Sequence, residues 1–352
     1  MNLFFFQNCI SPHQIPYIHA CTKDSHVENV YLIVPRTDYS SRKEMGWDST
    51  SLLSNTTIRL LLNPTRYQLE QLMQKSNDIS CFFSGIRADR DVFEWFKLTL
   101  AFHVKRYIIT EPPFTYRKPL WMHYIRFFMQ DYKYVKYIDG VFGIGEDAVR
   151  YYKSISRNWK VLPFQYVTGH RERSKDVPKG NLKLLFVGYL SKRKNVCIVI
   201  DALKGMKHVD FTIVGDGEER INLEKRAGIN GVSISFLGNR NMNEIPSIMQ
   251  EFDVLVLPSR HDGWGAVVNE AMDLGLYIII SDKCGAKSMI DKGVNGDIFV
   301  SNNISSLRKC LNHVLNEKEL IRKGTNERIS AFDKFRAENV SRYFINSILG
   351  HD

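Results

Sequence analysis

The first half of the chain alternates short apolar runs with segments in which apolar residues recur at helical spacing. Continuous apolar runs of this kind are typical of strands buried on both faces, and the helical segments between them can cover such strands. The strand candidates are residues 3–6, 30–34, 58–62, 80–83, 107–109 and 141–144. This alternation predicts a parallel sheet wrapped by helices.

The second half repeats the alternation after a polar stretch. Residues 168–180 hold almost no apolar side chain, and we place a domain linker there. Further strand candidates follow at residues 182–187, 211–217, 232–238, 254–257 and 277–281. The last apolar-periodic segment predicts a helix over residues 332–349. We therefore predict two α/β domains, at residues 1–167 and 181–331, and a final helical segment at 332–352.

The turn after the strand predicted at 254–257 carries two carboxylates. Asp262 stays in the turn, whereas Glu270 falls about one turn into the helix that follows. Gly263 and Gly265 let the main chain approach a ligand closely. Because open α/β sheets bind ligands at such turns, and helix N-termini attract anions, this pattern predicts a sugar-nucleotide site with one carboxylate at each end of the ligand. In the alternative interpretation Asp262 only caps the helix and Glu270 is solvated.

Three consecutive cations follow the strand predicted at 182–187. Gly188 opens the loop, and Lys192, Arg193 and Lys194 come shortly after it. A nucleoside diphosphate brings roughly two negative charges, which must meet cations and free main-chain N–H groups. The loop is therefore a candidate diphosphate site, and a solvated basic turn is the alternative interpretation.

Both loops resemble motifs of the retaining glycosyltransferases of family 4, which have the GT-B fold of two facing Rossmann-like domains. In that fold the last helix typically crosses back onto the first domain, so the resemblance implies such a crossing helix at residues 332–352. The family signature is Glu-x-x-x-x-x-x-x-Glu, and Asp262 stands in place of the first glutamate. The loop of residues 188–195 is similar to the family sequence Gly-Arg-Leu-x-x-x-Lys-Gly. Lys194 matches the family lysine, Tyr189 replaces the arginine and Asn195 replaces the glycine.

The resemblance implies roles for these residues in handling a nucleotide diphosphate sugar. Glu270 would hydrogen-bond the ribose, and Asp262 would contact hydroxyls of the donor sugar. Lys194, together with Arg193, would stabilise the departing diphosphate, where charge develops in the transition state. Further donor contacts are implied at Gly188, Gly217, Gly263, Trp264 and Gly265. The acceptor would attack the face that the leaving group vacates, with the β-phosphate helping to remove its proton, so no protein nucleophile is assigned.

The first half resembles bacterial surface-polysaccharide glycosyltransferases of the same family. The segments that carry this resemblance are residues 8–16, 46–47, 83–85 and 110–112. His13, in the loop after the first strand, would contact the donor phosphates or the acceptor, unless it is bonded locally at a helix start. Glu111, at the end of a strand, would bind an acceptor hydroxyl or act as a base on it, or else is a structural carboxylate.

A net charge of +10 indicates an anionic partner. On a helix, four cations between residues 117 and 136 fall within an arc of roughly 80°, beside an apolar stripe. The two sets are Lys118, Arg126, Lys133 and Lys136, and Trp121, Ile125, Phe128, Tyr132 and Val135. The pattern predicts peripheral contact with an anionic membrane surface, and a helix packed on the sheet with solvated lysines is equally compatible. Because no nucleic-acid-binding module is recognised, we expect no nucleic-acid partner.

Other classes of chemistry find weaker support. The six cysteines are scattered without metal-ligand spacing and no signal peptide is recognised, so we expect a reduced chain in the cytoplasm. Asp89 and Asp91 form an Asp-x-Asp of the metal-binding type, but they precede a helical stretch, where acids complement the helix dipole. The turn at 215–217 partly imitates a dinucleotide fingerprint, but Arg220 occupies the position of the third glycine. We therefore predict no metal and no cofactor.

These patterns together predict a metal-independent GT-B glycosyltransferase whose donor is a UDP- or GDP-linked sugar. It would transfer a hexose, with retention of configuration, to a lipid-linked glycan or a saccharide in surface polysaccharide biosynthesis, of O-antigen or capsule type. It would lie in the cytoplasm or on the inner face of the cell membrane. Two alternatives stay open: a nucleotide-sugar epimerase of the same fold, and an inactive GT-B-like binding subunit.

Overall fold

A computed structural model describes residues 1–39, 49–115, 119–156 and 158–350. The chain divides into two compact units, one of residues 1–169 and 335–352 and the other of residues 170–334. Within these described ranges, each unit contains one sheet, of seven strands in the first and six in the second.

The first unit alternates strands and helices, as its sequence pattern predicts. Its strands are β1 Asn2–Phe6, β2 Asn29–Val34, β3 Arg59–Leu62, β4 Ile79–Ser84, β5 Lys105–Thr110, β6 Gly140–Ile144 and β7 Lys160–Phe164. Its helices before the chain enters the second unit are α1 Ile15–Cys21, α2 Arg66–Lys75, α3 Arg90–Thr99, α4 Leu120–Gln130 and α5 Glu146–Ile155. All strands run parallel in the order β3-β2-β1-β4-β5-β6-β7, so the order reverses between β1 and β4.

The apolar run of β1 fills both faces of this sheet. Phe6 stacks on Phe83 with ring centroids 4.8 Å apart, and both belong to the core on one face. Phe5 points to the opposite face and stacks on Phe82 at 4.9 Å. Since successive side chains of a strand alternate between faces, a continuous run of phenylalanines requires cover on both sides.

The second unit repeats this architecture. Its strands are β8 Leu182–Val187, β9 Val209–Val214, β10 Ile234–Gly238, β11 Val254–Leu257, β12 Tyr277–Ser281 and β13 Gly296–Phe299. Its helices are α6 Cys197–Leu203, α7 Arg220–Asn230, α8 Ile245–Met249, α9 Val267–Asp273, α10 Ile304–Asn316, α11 Lys318–Lys323 and α12 Thr325–Ala331. The parallel order is β10-β9-β8-β11-β12-β13, and it reverses between β8 and β11.

The last helix, α13 Ala337–Leu349, returns to the first unit. Phe344 is fully buried there, with its ring centroid 4.8 Å from that of Phe82 and 4.7 Å from that of Phe142. Burial of an aromatic ring of this size is a main source of stability, so the sheet of the first unit needs α13 as part of its cover. The predicted return of the final helix is confirmed.

Two strands escaped prediction from the sequence. β7 contains Pro163 and β13 has only four residues, and each lies at one end of its sheet. Edge strands tolerate proline and need fewer apolar residues, so their patterns are weak.

The helix predicted across residues 117–136 is shorter than expected. α4 ends at Gln130, and a 3-10 helix, Tyr132–Tyr137, follows Asp131. Arg87 donates to the Asp131 carboxylate and to the main-chain carbonyl of Gln130, the second at 3.0 Å. This guanidinium binds at the end of α4, where main-chain carbonyls lack helical partners.

The predicted arc of four cations on one helix is therefore wrong. Arg126 lies on α4, but Lys133 and Lys136 lie on the 3-10 helix after it. Lys118 and residues 46–47 fall outside the described residues. Within the described ranges, no helix combines the length and apolar character needed to span a membrane.

Part of the predicted linker is bonded to the second unit. Arg173 donates to the main-chain carbonyls of Leu274 and Gln250, both at 2.8 Å. The N–H of Ser174 donates to the Gln250 side chain at 2.6 Å. These bonds show that Arg173 and Ser174 attach to the second unit. They do not test whether the domain boundary lies at residues 168–180, which stays a prediction.

Candidate functional site

The two loops that carry the sequence motifs lie side by side. β8 and β11 pair directly, with Val254 opposite Leu184. They are also the strands between which the order of the second sheet reverses. Residues 188–196 follow β8 and residues 258–266 follow β11. Both loops leave the carboxyl ends of their strands, which is where open α/β sheets bind ligands.

The three side chains predicted to be catalytic meet at this point. Lys194 donates to Asp262 across 2.6 Å between Nζ and Oδ2. Arg193 Nη1 lies 3.8 Å from Asp262 Oδ1 and donates to the His261 carbonyl at 2.8 Å. The side chains of Lys194 and Asp262 each keep only 14% exposure, so water screens their attraction less than at a surface. The structure brings these groups together, and their catalytic roles stay predictions.

Gly217 brings the turn after β9 against the loop after β8. A Cβ at Gly217 would lie 2.5 Å from the Leu190 carbonyl oxygen, a distance that the main chain cannot accommodate. At the start of the loop after β8, the N–H of Gly188 donates to the carbonyl of Val214, the last residue of β9, at 2.9 Å. The packing of the two loops therefore requires glycine at 217 independently of any ligand.

The loop after β11 is fixed by the loop after β12. The Asp262 N–H donates to the Lys283 carbonyl, and the Gly285 N–H donates to the Asp262 carbonyl, both at 3.0 Å. A Cβ at Gly285 would lie 2.1 Å from the Gly263 carbonyl oxygen. Gly265 has φ of +95°, which other residues rarely adopt. These contacts hold the Asp262 main chain in place while its carboxylate faces the cations.

Trp264 is buried beneath the same loop. Its side chain is 2% exposed, and Nε1 donates to Asn269 Oδ1 at 2.7 Å. The indole is therefore held in the core, and the Trp264 carbonyl accepts from the Ala286 N–H at 2.9 Å. The donor contact of Trp264 stays a prediction.

Glu270 lies in the first turn of α9, as the pattern predicts. Burial raises its pKa from 4.5 to about 7, and the cation of Arg171 acts in the opposite direction. A carboxyl with this pKa is about half protonated near neutral pH, so it can act both as a hydrogen-bond donor and as an acceptor. Its contact with ribose stays a prediction.

Arg171 was not predicted, since it lies far from Glu270 along the chain. Its N–H donates to Asp273 Oδ2 at 2.6 Å, and His170 Nδ1 lies 2.9 Å from Asp273 Oδ1. Asp273 follows Glu270 by one turn of α9, so these bonds keep Arg171 beside the helix that carries Glu270. No local pattern marks this pairing.

The first unit has a cavity of about 540 Å³ at the carboxyl ends of β1, β4 and β5. Glu111 lines it and accepts a 2.8 Å hydrogen bond from the Tyr166 hydroxyl. His13 approaches this region through Tyr166, with ring centroids 6.0 Å apart. The structure thus places Glu111 at a ligand-sized cavity, and the acceptor roles of both residues stay predictions.

The Asp-x-Asp segment caps a helix. Asp89 is the N-cap of α3 and accepts from the N–H of Asp91 at 2.9 Å. Arg36 bridges the two carboxylates, at 2.8 Å from Asp89 and 3.2 Å from Asp91. The interpretation of Asp89 and Asp91 as acids at the start of a helix is confirmed. In the part of the chain that the structure describes, no group of three or more His, Cys, Asp or Glu is placed to hold a metal ion.

The loops described above fall within a recognised family region. Residues 170–331 match the family model of glycosyl transferases, group 1. The matched region covers nearly all of the second unit and a little under half of the chain.

Curated relatives are similar over the same part of the chain. An uncharacterized glycosyltransferase of Methanocaldococcus jannaschii is 33% identical over 151 residues, which are 43% of this chain and 42% of that protein. The UDP-Gal:alpha-D-GlcNAc-diphosphoundecaprenol alpha-1,3-galactosyltransferase of Escherichia coli is 29% identical over 166 residues, 43% of this chain and 41% of that protein. The similarity thus spans about two fifths of the length of each relative.

Structural similarity extends over both units. The lipopolysaccharide outer core galactosyltransferase WaaB, in its apo form, superposes with a TM-score of 0.71 at 16% identity, covering 99% of each chain. The chain has the GT-B fold. The predicted fold class is therefore confirmed, with two Rossmann-like domains of parallel strands.

Proposed function

We propose that the protein is a glycosyltransferase that uses a nucleoside diphosphate sugar as donor and a saccharide as acceptor. The meeting of Lys194, Arg193 and Asp262 at the strand reversal of the second sheet carries this proposal. The match of residues 170–331 to glycosyl transferases supports it.

The paired cations suit the departure of a diphosphate. Negative charge grows on the leaving group in the transition state, and cations that are already in place stabilise it without reorganisation. Asp262 accepts a hydrogen bond from Lys194 at 2.6 Å. A bound diphosphate competes for Lys194 and frees the Asp262 carboxylate to accept hydrogen bonds from hydroxyls of the donor sugar. Arg193 supplies a second cation in a loop where Tyr189 occupies the arginine position of family 4.

The finer parts of the proposal concern stereochemistry, donor and acceptor. The spacing of Asp262 and Glu270 favours retention as in family 4, with Glu270 on the ribose of a UDP- or GDP-linked hexose. The name of the Escherichia coli relative specifies UDP-Gal and a diphosphoundecaprenol-linked acceptor, which favours a UDP donor and a lipid-linked glycan. A role in surface polysaccharide biosynthesis, including that of O-antigen, follows from such an acceptor.

We infer that catalysis needs no metal and takes place on the cytoplasmic side of the cell membrane. Lys194 and Arg193 provide the positive charge that a metal would otherwise supply. Arg36 engages both carboxylates of the Asp-x-Asp segment, Asp89 and Asp91, which therefore do not form a free metal-binding pair. Peripheral contact with anionic lipid fits the high net charge of +10.

Binding of nucleotides is the first test. The unfolding temperature is measured with UDP, GDP, ADP, their sugar conjugates and NAD, and a ligand at one hundred times its Kd stabilises by about 2.7 kcal/mol. We expect one nucleoside diphosphate and its sugar to stabilise the native chain. The Lys194→Met variant should lose most of this effect, while Lys192→Met, which removes an exposed cation from the same loop, should keep it.

Other results would point elsewhere. Stabilisation by NAD alone would contradict the proposal. Interconversion of the donor sugar without any acceptor would indicate an epimerase, and nucleotide binding without turnover on any saccharide acceptor would indicate a binding subunit.

A further inference from the structure

The main chain at Asn195 has a conformation that few residue types adopt. Its φ is +56°, in the left-handed region where glycine is unstrained and asparagine is tolerated better than most other residues. Asn195 stands where the family 4 motif has glycine. Because glycine would meet the requirement on φ equally well, the conformation alone does not explain an asparagine at this position. What asparagine adds is a side-chain amide directly after Lys194.

The Asn195 side chain is buried and joins three segments of the second unit. Asn195 is 3% exposed. Its Nδ2 donates to the Pro258 carbonyl, in the loop after β11, at 3.4 Å, and to Asn302 Oδ1, in the loop after β13, at 3.3 Å. Its Oδ1 accepts from the Cys197 thiol, at the start of α6, at 3.4 Å. A buried polar group is costly unless its partners are present, so these bonds favour one position of the amide and of the main chain that carries it.

The residue on the other side of Lys194 is fixed to the same loop. The Arg193 carbonyl accepts from the Arg260 N–H at 2.8 Å. The Arg193 guanidinium donates to the His261 carbonyl, also at 2.8 Å. Both chain neighbours of Lys194 are thus bonded to the loop after β11, and the main chain of Lys194 is held between the two attachments.

A lysine depends on such support because its side chain is flexible. The ammonium is a point charge on a four-carbon stem, and holding it in one place costs side-chain entropy. Lys194 Nζ lies 2.6 Å from Asp262 Oδ2. A preorganised catalytic group acts fully only when it is held within about 0.5 Å of its productive position. Fixing the main chain on both sides of Lys194 reduces the number of positions that its ammonium can occupy.

We propose that Asn195 is a positioning residue, which holds Lys194 at the departing diphosphate by tying the loop after β8 to the loop after β11. This inference rests on the proposed function, because it assigns to Asn195 a role in that transfer. The loop after β11 also carries Asp262, so the same tether fixes the cation and the carboxylate relative to each other. Asn195 acts through Lys194 and needs no contact of its own with the donor.

Nucleotide binding by matched variants tests the proposal. Isothermal titration calorimetry gives the Kd of UDP and of GDP for the native chain, Asn195→Gly, Lys194→Met and the double variant. Asn195→Gly removes the amide and keeps the left-handed conformation accessible, so this variant is expected to fold, which circular dichroism verifies. It should weaken binding of the nucleoside diphosphate about tenfold, because the ammonium that meets the phosphates is less well placed.

The double variant shows whether Asn195 acts through Lys194. In a chain that already lacks the lysine, Asn195→Gly should change the Kd less than about twofold, since a mutant cycle isolates the coupling between two residues. A general structural effect of Asn195 would instead cost the same factor with and without the lysine. The matched control is Asn63→Gly, the same replacement at a left-handed asparagine of the first unit, with φ of +46°. It should leave the Kd unchanged.

The possible outcomes separate this inference from the proposed function. Equal losses from Asn195→Gly in both backgrounds, or native affinity in Asn195→Gly, would overturn the inference alone. A native chain that binds neither UDP nor GDP, or binding that Lys194→Met leaves intact, would contradict the proposed function. The tether is then decided by urea unfolding of the same four chains. The effects of Asn195→Gly and Lys194→Met on the unfolding equilibrium should be less than additive, because the tether supports the pair of Lys194 and Asp262. Additive effects would exclude a positioning role.

Discussion

Replacing Glu270 with glutamine should remove a strong pH dependence of stability. Burial raises the pKa of Glu270 from 4.5 to about 7. The folded chain therefore keeps the Glu270 proton over a pH range in which the unfolded chain has already released it. Folding takes up a proton in this range, so the free energy of unfolding falls as pH rises.

The size of the effect follows from the two pKa values. Both states hold the proton below pH 4.5, and both have lost it above about pH 7, so the contribution of Glu270 is complete in acid and lost by pH 8. The difference between the two values corresponds to about 3 kcal/mol. Glutamine fills nearly the same volume without ionising, so the variant should gain about this much relative to the native chain between pH 4 and pH 8.

Urea unfolding at several pH values measures this difference. The two chains share all other titrating groups, so subtraction of their unfolding free energies isolates Glu270. Arg171→Gln is the companion variant. Loss of the nearby cation should raise the pKa of Glu270 further and extend the fall in stability to higher pH. Parallel stability curves for the native chain and Glu270→Gln would refute the buried-carboxyl argument.

Four further predictions test the site and the fold. Lys194→Met should lower kcat about a hundredfold in a sugar-transfer assay, since it removes a preorganised cation from the leaving group. Lys192→Met should stay near the native rate in the same assay. Equal rates for the two variants would exclude the role assigned to Lys194. Phe344→Ala should lower the free energy of unfolding, measured in urea, by about 3–5 kcal/mol, because the fully buried ring contacts several aromatic rings of the first sheet. A decrease of less than about 1 kcal/mol would contradict the conclusion that α13 covers this sheet. Asp89→Ala should lower the free energy of unfolding by about 1 kcal/mol, because the N-cap of α3 is lost. EDTA should leave the turnover of the native chain intact. Activity that is lost with EDTA and restored by added metal would contradict metal independence.

Local hydrophobic pattern was sufficient for most strands. β8, β11 and β12 have the predicted bounds because each is a short apolar run buried on both faces and ended by turn residues. Prediction failed at β7 and β13, which lie at the ends of the sheets, because β7 contains a proline and β13 has only four residues. It also failed for the length of α4, which ends earlier than predicted. The contact of Arg87 with Asp131 accompanies the end of this helix and joins residues distant in the chain, so a local pattern does not reveal it.

The sequence by itself determined which residue types follow which strands: cations after β8, a carboxylate and glycines after β11, and a second carboxylate in the next helix. Only the tertiary structure decided which of them meet. Lys194 and Asp262 are 68 positions apart and come within 2.6 Å because β8 and β11 pair across the strand reversal. Arg171 acts electrostatically on Glu270, and the bond of its main-chain N–H to Asp273 holds it beside α9. The physical reason is that periodicity is a local property of the chain, whereas the distance between two charges, and hence their interaction energy, depends on strand order and on packing between distant segments.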